Sequence, residues 1–235
     1  MADSYLALHW GMPVTALFFD VGNTLLFPKH EIMLLPLHER GVFPAELLLL
    51  EVERETKRAF DELQEKDSSV DHGFWHIYYS RLLNRLGLPD ELTCKHLVAR
   101  TRISANWCEI RPGTREALLR LKQKYRLAVI SNADGKIADV LARCGIADCF
   151  ESITDSGIVG KEKPHPEIFE TALNSMRVGA AESLYIGDVY SVDYLGATAV
   201  GMQGMLFDVA GAYKGNGAPR VESLEELESR LGKSS

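Results

Sequence analysis

The sequence predicts an α/β fold: a doubly wound, parallel, Rossmann-like sheet with an all-helical domain inserted after its first strand. Two textures of the chain carry this reading. Short β-favouring runs alternate with helical patterns through most of the 235 residues, and a strand–helix–strand order implies right-handed crossovers and a parallel sheet. By contrast, residues 28–108 lack β-type runs and show helical periodicity. The sheet-forming core is therefore assigned to residues 1–27 and 109–235, and the helical insert to 28–108.

The first strand is the run 16–19, which ends in Asp20 and breaks at once into Val21-Gly22-Asn23-Thr24. A strand that stops this way delivers its carboxylate to the carboxyl edge of the sheet, where α/β folds place their chemistry. In the insert, Pro44-Ala45-Glu46 opens a long helix, Pro suiting a first turn. Its apolar positions are Leu47 to Leu50, Val52, Phe60 and Leu63. Phe74, Ile77, Tyr78, Leu82 and Leu86 recur at three and four and make a second amphipathic helix ending near Gly87. Pro89-Asp90-Glu91 starts a third that continues past Val98. Trp75, Tyr78 and Tyr79 are assigned to the core by the burial habits of aromatic side chains.

Beyond the insert, a helix at 114–124 follows Pro112-Gly113, with Thr114 as its N-cap. Strands are expected at 127–130, 153–154, 184–186 and 204–207, and helices at 136–144, 166–177 and 193–200. A Gly-rich loop at 211–218 leads to a capped final helix at Ser223-Leu224-Glu225-Glu226-Leu227.

Composition narrows the class of function. Apolar residues make up 46% of the chain, which excludes a disordered polypeptide. A net charge of -7 disfavours a nucleic-acid partner, because phosphate backbones are bound by basic surfaces. The cysteines Cys94, Cys108, Cys144 and Cys149 form no CxxC pair, so zinc is not expected, and a reducing cytoplasm suits them. The amino-terminal run lacks the basic lead of a signal peptide, and no apolar run is long enough for a membrane span.

Four strand-end groups could carry chemistry. Leu184-Tyr185-Ile186-Gly187-Asp188 is a second β-run ending in a carboxylate, with Asp193 one turn later. If Asp20 and Asp188 share a crevice, one must be protonated or a cation must lie between them. Oxygen-only ligands favour Mg²⁺. For Asp188 the plainer alternative is a cap on the following helix. Ser131, followed by Asn132, ends another run and offers a hydroxyl to an anion. Lys163 lies in Gly160-Lys161-Glu162-Lys163-Pro164-His165-Pro166, a loop stiffened by both prolines.

In this order these motifs resemble the haloacid dehalogenase (HAD) superfamily of hydrolases, in its subfamily with a helical cap inserted after the first motif. Asp20 stands at the nucleophile's place, Ser131 at the second motif, Lys163 at the third, and Gly187-Asp188 with Asp193 at the fourth. Pro164-His165-Pro166-Glu167-Ile168-Phe169 and Arg111-Pro112-Gly113 are also typical of the capped subfamily. The resemblance covers nearly the whole chain. It implies an aspartyl-phosphate formed on Asp20, and Mg²⁺ held by Asp20, the backbone carbonyl of Gly22 and Asp188. Ser131 and Lys163 would grip phosphoryl oxygens, with Thr24, Asn132 and Asp193 in support. The cap would close over a small phosphorylated metabolite, in a monomeric or dimeric protein.

Residue 22 departs from that pattern. The family's phosphatases place a second Asp there as acid and base, and general acid–base help is worth about 10²–10⁴-fold. Gly22 supplies none. A slow or specialised phosphohydrolase is the leading reading. A non-catalytic Mg²⁺ and phospho-ligand binder stands second, and carbon–phosphorus or carbon–halogen cleavage third. Carbon–phosphorus cleavage needs a cap lysine for a Schiff base, and both Lys57 and Lys66 are expected to be solvated. His30, His72 and His76 are candidate substitute acids, and His165 neighbours Lys163.

Overall fold

The computed structural model describes residues 13–66 and 73–232. The chain opens with β1 (Ala16–Phe19) and β2 (Leu26–Pro28), then runs through five helices: α1 (His30–Met33), α2 (Leu35–His38), α3 (Glu46–Lys66), α4 (Phe74–Arg85) and α5 (Glu91–Thr101). It returns through β3 (Trp107–Ile110), α6 (Thr114–Lys122), β4 (Arg126–Ser131), α7 (Ile137–Arg143), β5 (Ser152–Asp155), α8 (Ser156–Val159) and α9 (Pro166–Met176). The last part holds β6 (Ser183–Gly187), a π-helical turn at Tyr190–Tyr194, α10 (Leu195–Ala199), β7 (Gln203–Phe207), β8 (Arg220–Val221) and α11 (Leu224–Gly232).

Six parallel strands form the main sheet in the order β5-β4-β1-β6-β7-β8. The alternation of side chains along β1 explains why it is covered on both faces. Leu17 and Phe19 pack with Leu118 of α6, Leu141 of α7 and Leu227 of α11. Ala16 and Phe18 pack with Ile168 and Phe169 of α9 and Ala197 of α10. Because β1 lies between β4 and β6, their three carboxyl ends form one continuous rim.

The helical segment builds its own core from Leu34, Leu37, Leu49, Val52, Tyr79, Leu82, Leu97 and their neighbours. Trp75 packs against both this core and the larger cluster on the sheet. Among the described residues no helix is long and apolar enough to cross a membrane.

Several local expectations are corrected. β2 and β3 pair antiparallel and form the two-stranded connection between sheet and helical segment. β8 adds a two-residue edge strand that has no hydrophobic run of its own. Thr114 does not cap α6; Gly113 does, at φ 82°, where a side chain would be strained. The helix expected at 193–200 begins as the π-helical turn and becomes α-helical only at Leu195. α3 starts at Glu46 rather than at Pro44, and Leu47 and Leu63 are exposed.

Candidate active site

Adjacent strands bring the strand-end groups together. Asp20 follows β1 and Asp188 follows β6, and the Asp20 amide donates to the Ile186 carbonyl at 2.8 Å, which fixes one against the other. Carboxylate oxygens of Asp20, Asp188 and Asp193 lie within 4.8 Å of one another, and all three residues are buried. Ser131, at the end of β4, is buried on the same rim.

Lys163 joins this cluster through its side chain. Its Nζ donates to Asp20 Oδ1 at 2.6 Å, Asp193 Oδ1 at 2.7 Å and the Tyr185 hydroxyl at 2.7 Å. An ammonium has three N–H bonds, so its donors are fully committed. The Lys163 backbone is held by Asn132, whose Oδ1 accepts from the Lys163 amide at 2.7 Å and whose Nδ2 donates to its carbonyl at 3.0 Å. The plane of one side-chain amide thus sets the third-motif loop against the second. Thr24 Oγ1 stands 3.5 Å from Asp20 Oδ2.

Asp193 has a supporting geometry. Besides Lys163, its Oδ1 accepts from Tyr185 at 3.0 Å, and its Oδ2 accepts from the backbone amides of Asp188 and Val189 at 3.1 and 2.9 Å. Both oxygens are therefore spent on the protein. The π-helical turn makes this possible by bringing Asp193 back beneath the strand end it follows. Asp188 itself does not cap the turn, whose N-cap is Val189 with no side-chain bond.

What Asp188 meets instead is Lys57, and this corrects the expectation that Lys57 is solvated. Lys57 is fully buried, 2.9 Å from Asp188 Oδ2 and 2.7 Å from Glu53 Oε1. Lys66 is exposed, as expected. Arg54 Nε donates to the Ala210 carbonyl at 2.7 Å, Arg58 Nε to the Ala212 carbonyl at 2.8 Å, and the Ser191 amide to Asp61 Oδ1 at 3.0 Å. These three bonds fasten α3 to loops after β6 and β7. Asp208 shapes one of those loops by accepting from the amides of Ala212 and Tyr213 at 2.7 and 3.0 Å. A signal for this existed in the sequence: Glu53, Lys57 and Asp61 recur at four, a charged stripe beside the buried Val52, Thr56 and Phe60.

Burial pushes the Asp20 carboxyl up to about 7 against the opposing pull of Lys163, with Asp193 and Asp188 adding to the rise. Asp188 is raised to about 6, by burial first, against Lys57. Burial alone would lower both lysines. Asp188 and Glu53 outweigh it at Lys57, and Asp193 and Asp20 do so at Lys163, so both stay above the ordinary ammonium value. Two charged amines cannot offset all the carboxylates gathered here. The donors are oxygens only, and the Asp193 oxygens are already committed. The arrangement fits a hard divalent cation taken by Asp20 and Asp188.

Trp107 was missed as a site residue. Its indole lies 3.4 Å from where a β-carbon at Gly22 would stand, donates from Nε1 to the Thr101 carbonyl at 2.8 Å and packs at a tilt of 58° against Trp75, 5.4 Å between centroids. Only the β2–β3 pairing brings it there. Tyr185 was missed as well, because a tyrosine inside a β-run reads as core. Of the histidines, His30 is half-buried and held below its usual value by desolvation. The exposed His76 sits 3.5 Å from Cys94 Sγ. His165 caps α9 by accepting from the Glu167 amide at 3.2 Å. His72 lies outside the described residues.

Known proteins align with this arrangement. The family description "haloacid dehalogenase-like hydrolase" matches residues 14–201. The chain is 32% identical to a glyceraldehyde 3-phosphate phosphatase of Pyrococcus abyssi, over 83% of this chain and 81% of that one. It is 43% identical to the haloacid dehalogenase-like hydrolase domain-containing protein 3 of Bos taurus, over 39% and 37% of the two chains. Among solved structures, a HAD phosphatase from Thermococcus onnurineus superposes with a TM-score of 0.60 at 24% identity, covering 93% and 98%. The magnesium-bound HAD-hydrolase YfnB from Bacillus subtilis superposes with a TM-score of 0.67 at 19% identity, covering 94% and 99%.

Proposed function

The chain belongs to the haloacid dehalogenase-like hydrolases, and on that premise we propose that it is a Mg²⁺-dependent phosphohydrolase acting on a small phosphorylated metabolite through an aspartyl-phosphate on Asp20. The observation that carries this reading is the convergence of Asp20, Asp188 and Lys163 from three parts of the chain on one buried rim.

In this reading Asp20 attacks phosphorus, splitting one hard displacement into two easier ones. Lys163 holds Asp20 by its Oδ1, leaving Oδ2 to face the substrate, and Ser131 takes a phosphoryl oxygen. Asn132, Tyr185 and Asp193 keep Lys163 in place. Magnesium held by Asp20, the Gly22 carbonyl and Asp188 would screen the repulsion between these carboxylates and an incoming phosphate. Residues 28–108 act as the cap, with α3 fastened over the rim to exclude water. Four free cysteines agree with a cytoplasmic setting.

The carbon–phosphorus alternative needs a neutral amine, and the carboxylates around Lys57 hold it protonated. The binding-only alternative is favoured by the empty acid position at Gly22. A panel of phosphate monoesters and acyl phosphates, assayed with and without Mg²⁺, separates the two. Mg²⁺-dependent phosphate release that disappears in Asp20→Asn supports the hydrolase. Release that survives Asp20→Asn, or its absence from every compound, removes it.

A further inference from the structure

Lys57 poses a question that the proposed chemistry leaves open. A buried lysine is costly unless its charge is matched, and this one is delivered from a helix some 130 positions earlier than the carboxylate it meets. Its placement is not incidental, because Arg54, Arg58 and Asp61 fix α3 on either side of it.

We propose that Lys57 is a catalytic residue that binds the leaving-group oxygen of the phosphorylated substrate, the oxygen that Gly22 cannot serve. The proposal rests on the phosphohydrolase reading and deepens it. The substrate class it names is phosphates whose leaving group departs as a stabilised anion, above all acyl phosphates.

Donor arithmetic distinguishes the two buried lysines. Lys163 spends its three N–H bonds on Asp20, Asp193 and Tyr185. Lys57 has two carboxylate oxygens within reach, from Glu53 and Asp188, which leaves one N–H bond for a ligand. Position agrees with this. Lys57 Nζ lies 2.9 Å from Asp188 Oδ2, and Asp188 has a carboxylate oxygen within 4.8 Å of one of Asp20, so α3 sets this ammonium beside the nucleophile.

Lys57 lies between two carboxylates, and an ammonium placed there stabilises negative charge on the departing oxygen. The step then balances without an acid at position 22. Asp20 forms its bond to phosphorus, the bond from phosphorus to the acyl oxygen breaks, and its electron pair leaves on a carboxylate that needs no proton. Water next attacks the phosphorus, the bond to Asp20 breaks, and the water's protons end on phosphate and solvent. Trp107 agrees with this division of labour, since its ring lines the side of Gly22 where an acidic side chain would otherwise stand.

The test is a leaving-group series at saturating Mg²⁺: phenyl phosphate, 4-nitrophenyl phosphate and acetyl phosphate. It compares the wild type with Lys57→Met and with the double variant Glu53→Gln/Lys57→Met, which keeps the cap pair neutral if the single variant folds poorly. Losing one charge-stabilising donor is expected to cost about 10²-fold on phenyl phosphate and to shrink to a few-fold on acetyl phosphate. Orthovanadate should also bind more weakly to both variants by calorimetry, while Mg²⁺ binding does not weaken. An equal loss across the series, or unchanged vanadate affinity, overturns the role of Lys57. A wild type that releases phosphate from none of the three removes the phosphohydrolase reading itself, and the vanadate measurement still judges Lys57.

Discussion

The indole of Trp107 stands 3.4 Å from the β-carbon position of Gly22, so two residues 85 apart in sequence share one small space beside Asp20. A β-carbon at position 22 would make ordinary van der Waals contact with that ring, and Gly22 is not among the glycines at positive φ, so the backbone accepts Asp there. Gly22→Asp is therefore expected to fold and to recover part of the about 10²–10⁴-fold that acid–base help supplies, read as faster phosphate release from phenyl phosphate. No gain in a folded Gly22→Asp variant would show that a carboxyl at this position does not reach the leaving group.

Tyr185 donates to Asp193 and accepts from Lys163, inside a fully buried strand. Tyr185→Phe keeps the ring and strands one donor of Lys163. A buried group left without its partner costs about 1–3 kcal/mol, and denaturant midpoints should show a loss of that order. Because Lys163 then has slack, turnover should fall as well; a drop in stability with unchanged turnover would limit Tyr185 to packing.

The raised carboxyls give the metal-free protein a particular pH dependence. Asp20 is raised to about 7 and Asp188 to about 6, so near pH 5 the folded state binds protons that the unfolded state has released. Their contribution to stability is fully present below the unfolded value near 3.8 and is lost as pH rises through 6 to 7. Thermal melts in chelator should accordingly show wild type losing more stability between pH 5 and 8 than Asp20→Asn does. Equal slopes would mean that Asp20 does not titrate in this window.

Arg58 donates from an exposed position on α3 to the Ala212 carbonyl, and the half-buried Arg54 donates one turn earlier to the Ala210 carbonyl. Replacing both with Gln should loosen α3 from the sheet and raise the rate of proteolysis within 46–66. Loop and lid segments are held by few such bonds. An unchanged cleavage rate would indicate that packing alone holds the helix.

Much of the core was legible because the three central strands β1, β4 and β6 are short apolar runs, and Asp20, Ser131 and Asp188 lie where those runs stop. Lys163 was legible through its prolines. The rest depends on contacts across the chain. The helical periodicity of α3 shows which side is apolar, but not that Lys57 and Asp61 meet Asp188 and Ser191 beyond β6 instead of water. Trp107 reaches Gly22 only through strand pairing between β2 and β3, which neither short segment announces. β8 is two residues long and owes its place to its bonds with β7. At Thr114, the adjacent glycine's access to positive φ decided the cap over the hydroxyl.

Whether Asp20 becomes phosphorylated can be measured directly. The protein is mixed with Mg²⁺ and ³²P-acetyl phosphate, quenched in acid within milliseconds to seconds, and digested. The label should appear on the peptide containing Asp20, survive acid, be lost in alkali and be absent from Asp20→Asn. Phosphate release from acetyl phosphate with no label on that peptide, or with equal release by Asp20→Asn, would contradict the account.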